Sequence, residues 1–249
     1  VFIKTIKIEN LRNIAHAEIN FTNNINILFG DNGAGKTTLL EAIYLLGRAK
    51  SFRTNNKTGP IAKGSERLTL FATVENDKHH LVRVGFTRKG NETTIKINGQ
   101  SVNKLSVLAN TLPIALVTPQ SHRLIEEGPE NRRRILNWGV FHVEHTFKTL
   151  MGDYTRSLLQ RNNALKKRST DLNAWSSKLA ECALAVSERQ HNYFMHWREE
   201  LSGMSKNIPF LEDLEIVFYK GWPGGADFKD LLFSREAVDR DKGFTSIGP

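Results

Sequence analysis

The hydrophobic positions open in two alternating runs. Ile6 and Ile8 flank Lys7, then Ala15, Ala17, Ile19 and Phe21 alternate with His16, Glu18 and Asn20, which is the period-two pattern of half-buried strands. A third run, Ile25 to Phe29, is predicted as a strand ending in Gly30. Beyond it, Thr37, Thr38, Leu39, Leu40, Ala42, Ile43, Leu45 and Leu46 are spaced for a helix closed by Gly47. Strand, glycine loop and helix thus follow in order. Between Arg67 and Arg88 the alternation returns, in Leu68, Leu70, Ala72 and Val74 and again in Val82, Val84 and Phe86, with a turn at Asn76-Asp77. Ile95 and Ile97 run into Asn98-Gly99, the dipeptide suited to the positive φ angles of a two-residue hairpin. This middle section reads as antiparallel sheet, and Leu112 to Val117 as another short strand, broken by Pro119.

After Gly128-Pro129 the period lengthens. Phe147, Leu150, Met151, Tyr154, Leu158 and Leu165 share one helix face, and Trp175, Leu179, Cys182, Val186, Phe194, Trp197 and Leu201 share a face of a second helix. The two form an αα-hairpin, a lobe of its own, with its methionine and aromatic stripes in the core. Leu214 to Tyr219 returns to strand, Gly224-Gly225 breaks it, and Asp227 to Arg240 is a charged helix ending at Gly243.

Composition narrows the class. With 39% hydrophobic residues in 249 there is enough apolar side chain for a core, which excludes bulk disorder. The formal charge of +9 favours polyanionic partners. No apolar run approaches the roughly 20 residues of a membrane-spanning helix, and the first residues form no signal-peptide block. The expectation is a soluble cytoplasmic protein with no membrane partner. The lone cysteine, Cys182, has no second cysteine to pair with and is expected to be a small apolar helix residue.

The sharpest chemistry lies between the third strand and the first helix. Gly30-Asp31-Asn32-Gly33-Ala34-Gly35-Lys36-Thr37 matches G-x-x-x-x-G-K-[ST], the Walker A phosphate loop, with a chance probability of roughly 1% in a chain this long. Gly30, Gly33 and Gly35 permit backbone conformations and close approach that a Cβ would obstruct, so that successive N–H groups converge on a phosphate. The helix start adds its dipole and free N–H groups, Lys36 a mobile cation, and the Thr37 hydroxyl a ligand for Mg²⁺. Thr38 follows in the same turn. The cofactors expected are ATP and Mg²⁺. No residue is assigned as catalytic. Hydrolysis needs an apolar strand ending in Asp, whereas Leu112 to Val117 runs into Thr118-Pro119 and Leu214 to Tyr219 into Lys220-Gly221. Leu201-Ser202-Gly203 imitates the start of an ATP-binding-cassette signature but closes a helix where a signature opens one. An ATPase, if any, is expected to be weak, DNA-stimulated and dependent on more chain than this.

Ile8-Glu9-Asn10-Leu11-Arg12-Asn13-Ile14 followed by the phosphate loop resembles the amino-terminal half of the SMC-like branch of the ATP-binding-cassette fold. Five further blocks resemble the RecF family more narrowly: Ser51-Phe52-Arg53, the stretch from Thr118-Pro119-Gln120 to Gly128-Pro129-Glu130-Asn131-Arg132-Arg133, Leu136-Asn137-Trp138-Gly139, Leu159 to Leu165, and Gly243 to Pro249. The resemblance covers the chain in order and corresponds to roughly the first two-thirds of a family member, ahead of the signature and acidic strand.

It implies an α/β fold: an ABC-ATPase-type P-loop head with an antiparallel β subdomain and a helical second lobe. Residues 1–128 would be head, 129–210 the helical lobe, and 211–249 a return to the head. It also implies a bacterial DNA-repair protein that binds ATP, forms a homodimer head to head around it, binds DNA, duplex or at single-/double-strand junctions, and helps RecO and RecR load RecA at gaps. Arg12 and Asn13 would then lie near the nucleotide, and Gln120 in the loop that senses Mg²⁺ and the γ-phosphate. Alternatives are the head of another SMC-like DNA-maintenance ATPase, favoured less because its long coiled coil is missing here, and a P-loop kinase or phosphotransferase, disfavoured by the many antiparallel strands. A non-catalytic DNA-binding module with a structural loop is a further possibility.

Candidate DNA contacts are Arg48, Lys50 and Arg53 in the acid-free stretch between Glu41 and Glu66, Arg132 and Arg133, and Lys166, Lys167 and Arg168, which share a second acid-free stretch with Arg156 and Arg161. The pairs His142/His145 and His191/His196 lack the cysteine or carboxylate company of a zinc site and are expected to be ordinary packing or surface residues.

Overall fold

The structure, a computed structural model, describes residues 1–144, 146–206, 208, 211 and 214–249. Its contacts divide the chain into two compact units, Val1–Pro119 and Gln120–Pro249.

The first unit is built on a six-stranded antiparallel sheet of order β2-β1-β3-β4-β5-β6, with β1 at Phe2–Leu11, β2 at Ile14–Asn20, β3 at Arg67–Glu75, β4 at Leu81–Lys89, β5 at Glu92–Ile97 and β6 at Gln100–Ser101. The alternation sorts the faces. Ile6, Ile8, Leu68, Leu70, Ala72, Val74, Val84, Phe86 and Ile95 are buried on one side against Leu39, Ala42, Leu45 and Leu46 of α1 (Lys36–Arg48) and Leu108 of α2 (Leu105–Thr111). Each buried Val, Leu, Ile or Phe among them contributes about 1.5–3 kcal/mol. The β5–β6 turn is the predicted one, with Asn98 and Gly99 both at positive φ, 48° and 84°.

Three details differ from the sequence pattern. Helix α1 does not close at Gly47. It runs on to Arg48 and ends on Ala49, whose N–H bonds to the Leu45 carbonyl in a left-handed cap. Gly47 is glycine for packing, because a Cβ there would stand 2.4 Å from Ile114 Cδ1 and 2.7 Å from the Leu112 carbonyl oxygen. Ile25 to Phe29 and Leu112 to Val117 belong to no sheet ladder among the described residues. In the first segment Phe29 is 91% exposed; in the second Leu112 and Ile114 pack on the sheet core while Val117 is 85% exposed.

The second unit is helical: α3 (Arg123–Glu126), α4 (Pro129–Val143), α5 (Phe147–Lys167), α6 (Leu172–Ser205), α7 (Phe228–Ser234) and α8 (Glu236–Lys242). The predicted hairpin is α5–α6, and Val140, Phe147, Tyr154, Leu179, Cys182, Val186, Trp222, Phe228 and Leu232 form its core. Cys182 is the buried helix residue expected. Burial holds the Tyr154 hydroxyl above its ordinary pKa. Ser202 and Gly203 lie in the last turns of α6. The charged helix is two helices. Asp227 caps α7 through the Asp230 N–H, the chain turns at Arg235, and Gly243 ends α8.

By their contacts the described residues from 214 to 249 group with the second unit. One tie is Arg161, expected on a basic surface and instead fully buried. Its guanidinium donates to Ser176 Oγ at 3.0 Å, Asp239 Oδ2 at 2.8 Å, Thr245 Oγ1 at 2.7 Å and the Leu232 carbonyl at 3.1 Å. Asn162 Oδ1 accepts from the Thr245 N–H and hydroxyl, and Asp239 Oδ1 from the Ser246 N–H and hydroxyl. Helix α5 therefore fastens the last residues. Among the described residues Leu214 to Tyr219 makes no ladder, and Phe218 rests on His191 and Phe194 of α6. Among the described residues no helix is long and apolar enough to cross a membrane.

Candidate functional site

The phosphate loop ends where α1 begins. Gly30, Gly33 and Gly35 have φ of 142°, 89° and 98°, values that side-chain-bearing residues rarely adopt. Gly35 is the N-cap of α1. No side chain caps the helix, and no acidic residue stands in its first turn. A helix start of this kind presents uncapped N–H groups and the positive end of its dipole to an incoming anion.

Lys36 Nζ donates to the carbonyls of Gly30 at 2.6 Å and Asp31 at 2.8 Å, so the ammonium is folded over the loop it serves. Residues 30–34 and Thr37 are exposed. Thr38 is different. It is buried, and its hydroxyl donates to Asn13 Oδ1 at 2.8 Å, while Asn13 Nδ2 donates to the Gly33 carbonyl at 2.8 Å. Asn13 and Thr38 thereby brace the loop against the β1–β2 turn.

A cleft of about 470 Å³ lies over this arrangement, lined by the loop, by Arg12 and Asn13 from the β1–β2 turn, and by Arg53. Behind it, the Glu41 carboxylate on α1 is fully buried. Arg12 engages it from two sides: Nε pairs with Oε2, and Nη2 donates to Oε1 at 2.8 Å. The Ser51 hydroxyl donates to Oε1 at 2.5 Å, and Arg53 Nη1 stands 3.5 Å from Oε2. Burial pushes the Glu41 carboxyl up, but the hydrogen bonds from Arg12 and Ser51 and the charges of Arg12 and Arg53 outweigh it, leaving the group below its usual range. The hydrogen bond to Glu41 raises the Arg12 guanidinium above its ordinary value.

Sequence reasoning missed Glu41. The signal was available, since position 41 falls on the buried stripe of α1 with Thr38, Ala42 and Leu45, and a carboxylate there requires a cationic partner. Arg88 is also buried. It reaches the Ala49 and Lys57 carbonyls at 2.9 and 3.2 Å and so pins both ends of the segment carrying Ser51 and Arg53. Burial lowers its pKa.

The other expected site residues scatter. Gln120 lies exposed in the second unit, in the 3-10 turn Pro119–His122. Arg53, expected on DNA, lines the cleft. Arg48 is half-buried on the last turn of α1, and Lys50 is exposed just beyond. In the second unit Arg132 donates to the Leu124 and Glu127 carbonyls, which fastens it to the end of α3, while Arg133 is exposed. Lys166 and Lys167 occupy the exposed last turn of α5, and Arg168 is its left-handed cap. His142 packs on Trp138 and Phe141, His196 is exposed, and His145 lies outside the described residues. Among the described residues no three metal-ligating side chains gather.

Residues 2–211 match the family described as RecF/RecN/SMC N terminal domain. Two proteins named DNA replication and repair protein RecF are similar over nearly the whole chain. That of Shewanella loihica is 35% identical over 250 residues, 99% of this chain and 69% of its own length. That of Shewanella sp. (strain W3-18-1) is 37% identical over 251 residues, 98% of this chain and 68% of its own. Among solved structures, the recombination mediator RecF of the RecFOR pathway with ATPγS superposes with a TM-score of 0.84 at 25% identity, over 100% of this chain and 71% of that one. The corresponding RecF-ATP structure has the same TM-score at 24% identity and shares the fold.

Proposed function

Since the chain belongs to the RecF family, within the RecF/RecN/SMC N-terminal-domain class, we propose that it is an ATP-operated DNA-binding protein of replication and repair. The observation that carries the reading is the uncapped start of α1, with three positive-φ glycines ahead of it and Lys36, Thr37, Arg12 and Arg53 around one cleft. Gly30 to Gly35 would surround the phosphates with backbone N–H groups, and Lys36 would leave the Gly30 and Asp31 carbonyls for a phosphate oxygen. The Thr37 hydroxyl would hold Mg²⁺. When bound there, the ion would neutralise phosphate charge. Asn13 and Thr38 keep the loop in shape.

In this reading the nucleotide controls head-to-head homodimerisation and DNA binding, and the exposed Lys50, Arg133, Lys166, Lys167 and Arg168 supply backbone contacts to duplex or junction DNA. RecO and RecR are the expected protein partners, with RecA loaded at gaps, in the cytoplasm. The RecF structure with ATPγS in the RecFOR pathway, 25% identical, supports the nucleotide and the pathway. Titration calorimetry with MgATP tests the central step. Heat with one-to-one stoichiometry is expected, and none from a folded protein refutes it.

A further inference from the structure

Two guanidiniums line the cleft, and one buried carboxylate holds both, on unequal terms. Glu41 has 0% side-chain exposure, Arg12 23% and Arg53 39%. Arg12 takes both carboxylate oxygens, and Ser51 takes another position on Oε1. Arg53 is left with a single 3.5 Å approach to Oε2, at the outer limit of a hydrogen bond. Arg12 also sits in left-handed backbone at φ 50°, a conformation that an arginine holds only when its surroundings impose it. Its Nη1 finds the Gly59 carbonyl at 3.4 Å, and its own N–H bonds to the Pro60 carbonyl at 2.9 Å. Every contact of Arg12 thus turns the guanidinium to a fixed place beside the phosphate loop.

We infer that Glu41 is a positioning residue for the anionic ligand. It fixes Arg12 at the cleft through a two-point pair and tethers Arg53 so weakly that Arg53 remains free to turn to the ligand. The inference rests on the nucleotide reading of the cleft. A buried carboxylate behind a cationic site acts in two opposing ways. Its charge opposes the ligand's, and its hydrogen bonds order the cations in advance. Arg12 makes the pair through a rigid planar fork, so the ordering of a long side chain is complete before the ligand arrives. Ordering wins here because the paired guanidinium keeps its full charge while its rotamer freedom is already gone.

The test is a double-mutant cycle on the full chain, with ATP affinity read by calorimetry for the unsubstituted protein, Glu41→Gln, Arg12→Ala and the double variant. Glu41→Gln keeps the shape and removes the charge that binds the fork. The expected result is about tenfold weaker ATP binding in Glu41→Gln and less than a twofold effect of the same change once Arg12 is absent. A merely structural role would give equal losses in both backgrounds and would overturn the inference. So would unchanged or tighter binding in a folded Glu41→Gln. If the unsubstituted protein binds no ATP, the nucleotide reading itself fails and carries the inference with it. Should Glu41→Gln not fold, Ser51→Ala, which frees Oε1 of its hydroxyl and leaves all charges in place, takes its position in the cycle with the same criteria and a smaller expected loss.

Discussion

Arg161 and Asp239, 78 residues apart in the chain, form a 2.8 Å ion pair with no side-chain exposure on either partner. Removing one partner leaves the other as an uncompensated buried charge, which costs about 3–5 kcal/mol. Arg161→Ala is therefore expected to lower the urea midpoint strongly, and replacing both residues by apolar ones of similar size to recover part of the loss. Equal stability of Arg161→Ala and the parent would contradict this network.

Gly47→Ala should also destabilise, against the usual helix preference. Alanine gains about 1 kcal/mol over glycine in a helix interior, but here its Cβ meets the Leu112 carbonyl at 2.7 Å as well as the Ile114 side chain. Overpacking of this kind costs about 1–3 kcal/mol. A drop in melting temperature is expected, and a rise would show that the 112–114 segment moves aside freely.

The Glu41 carboxyl gives acid sensitivity of known sign. Its pKa is lower in the folded protein than in the unfolded chain, so its stabilising contribution is complete above the ordinary glutamate value of about 4.3 and disappears as pH falls through the folded value. Thermal melts from pH 6 down to pH 3 should show a steeper loss for the parent than for Glu41→Gln. Parallel curves would mean that Glu41 is not held ionised by Arg12 and Ser51.

Sequence reading found the loop, the sheet and the α5–α6 hairpin because each has a local signature. The eight-residue glycine motif, the alternation of Leu68 to Val74 and the Asn98-Gly99 turn need nothing distant. Glu41 gives no local signal of its role and Arg161 none of its burial, because charge along a sequence carries no information on burial. Arg161 lies in an acid-free stretch, and its partner comes from α8. Ile25 to Phe29 has the alternation of a strand but forms no ladder among the described residues, because pattern alone does not supply a pairing partner.

If Lys166, Lys167 and Arg168 each contact a DNA phosphate, replacing all three with glutamine should reduce the slope of log affinity against log salt by about 2.7 for duplex DNA. Fluorescence anisotropy over a salt series measures it. An unchanged slope would assign these residues to a solvated helix end.

Lys36→Ala removes a charge-assisted contact worth about 1.5–3 kcal/mol, and ATP affinity should fall roughly ten- to a hundredfold. Equal affinity in calorimetry would refute the role of Lys36.

That lysine is not idle while it waits. Its ammonium already has two oxygen partners, Gly30 and Asp31, so an arriving phosphate acts as a substitute tenant: it evicts two carbonyls and keeps only the difference in bond strength. Part of the alanine variant's deficit will thus originate in a slacker empty loop, visible as faster amide hydrogen exchange over residues 30–35 before any nucleotide is added.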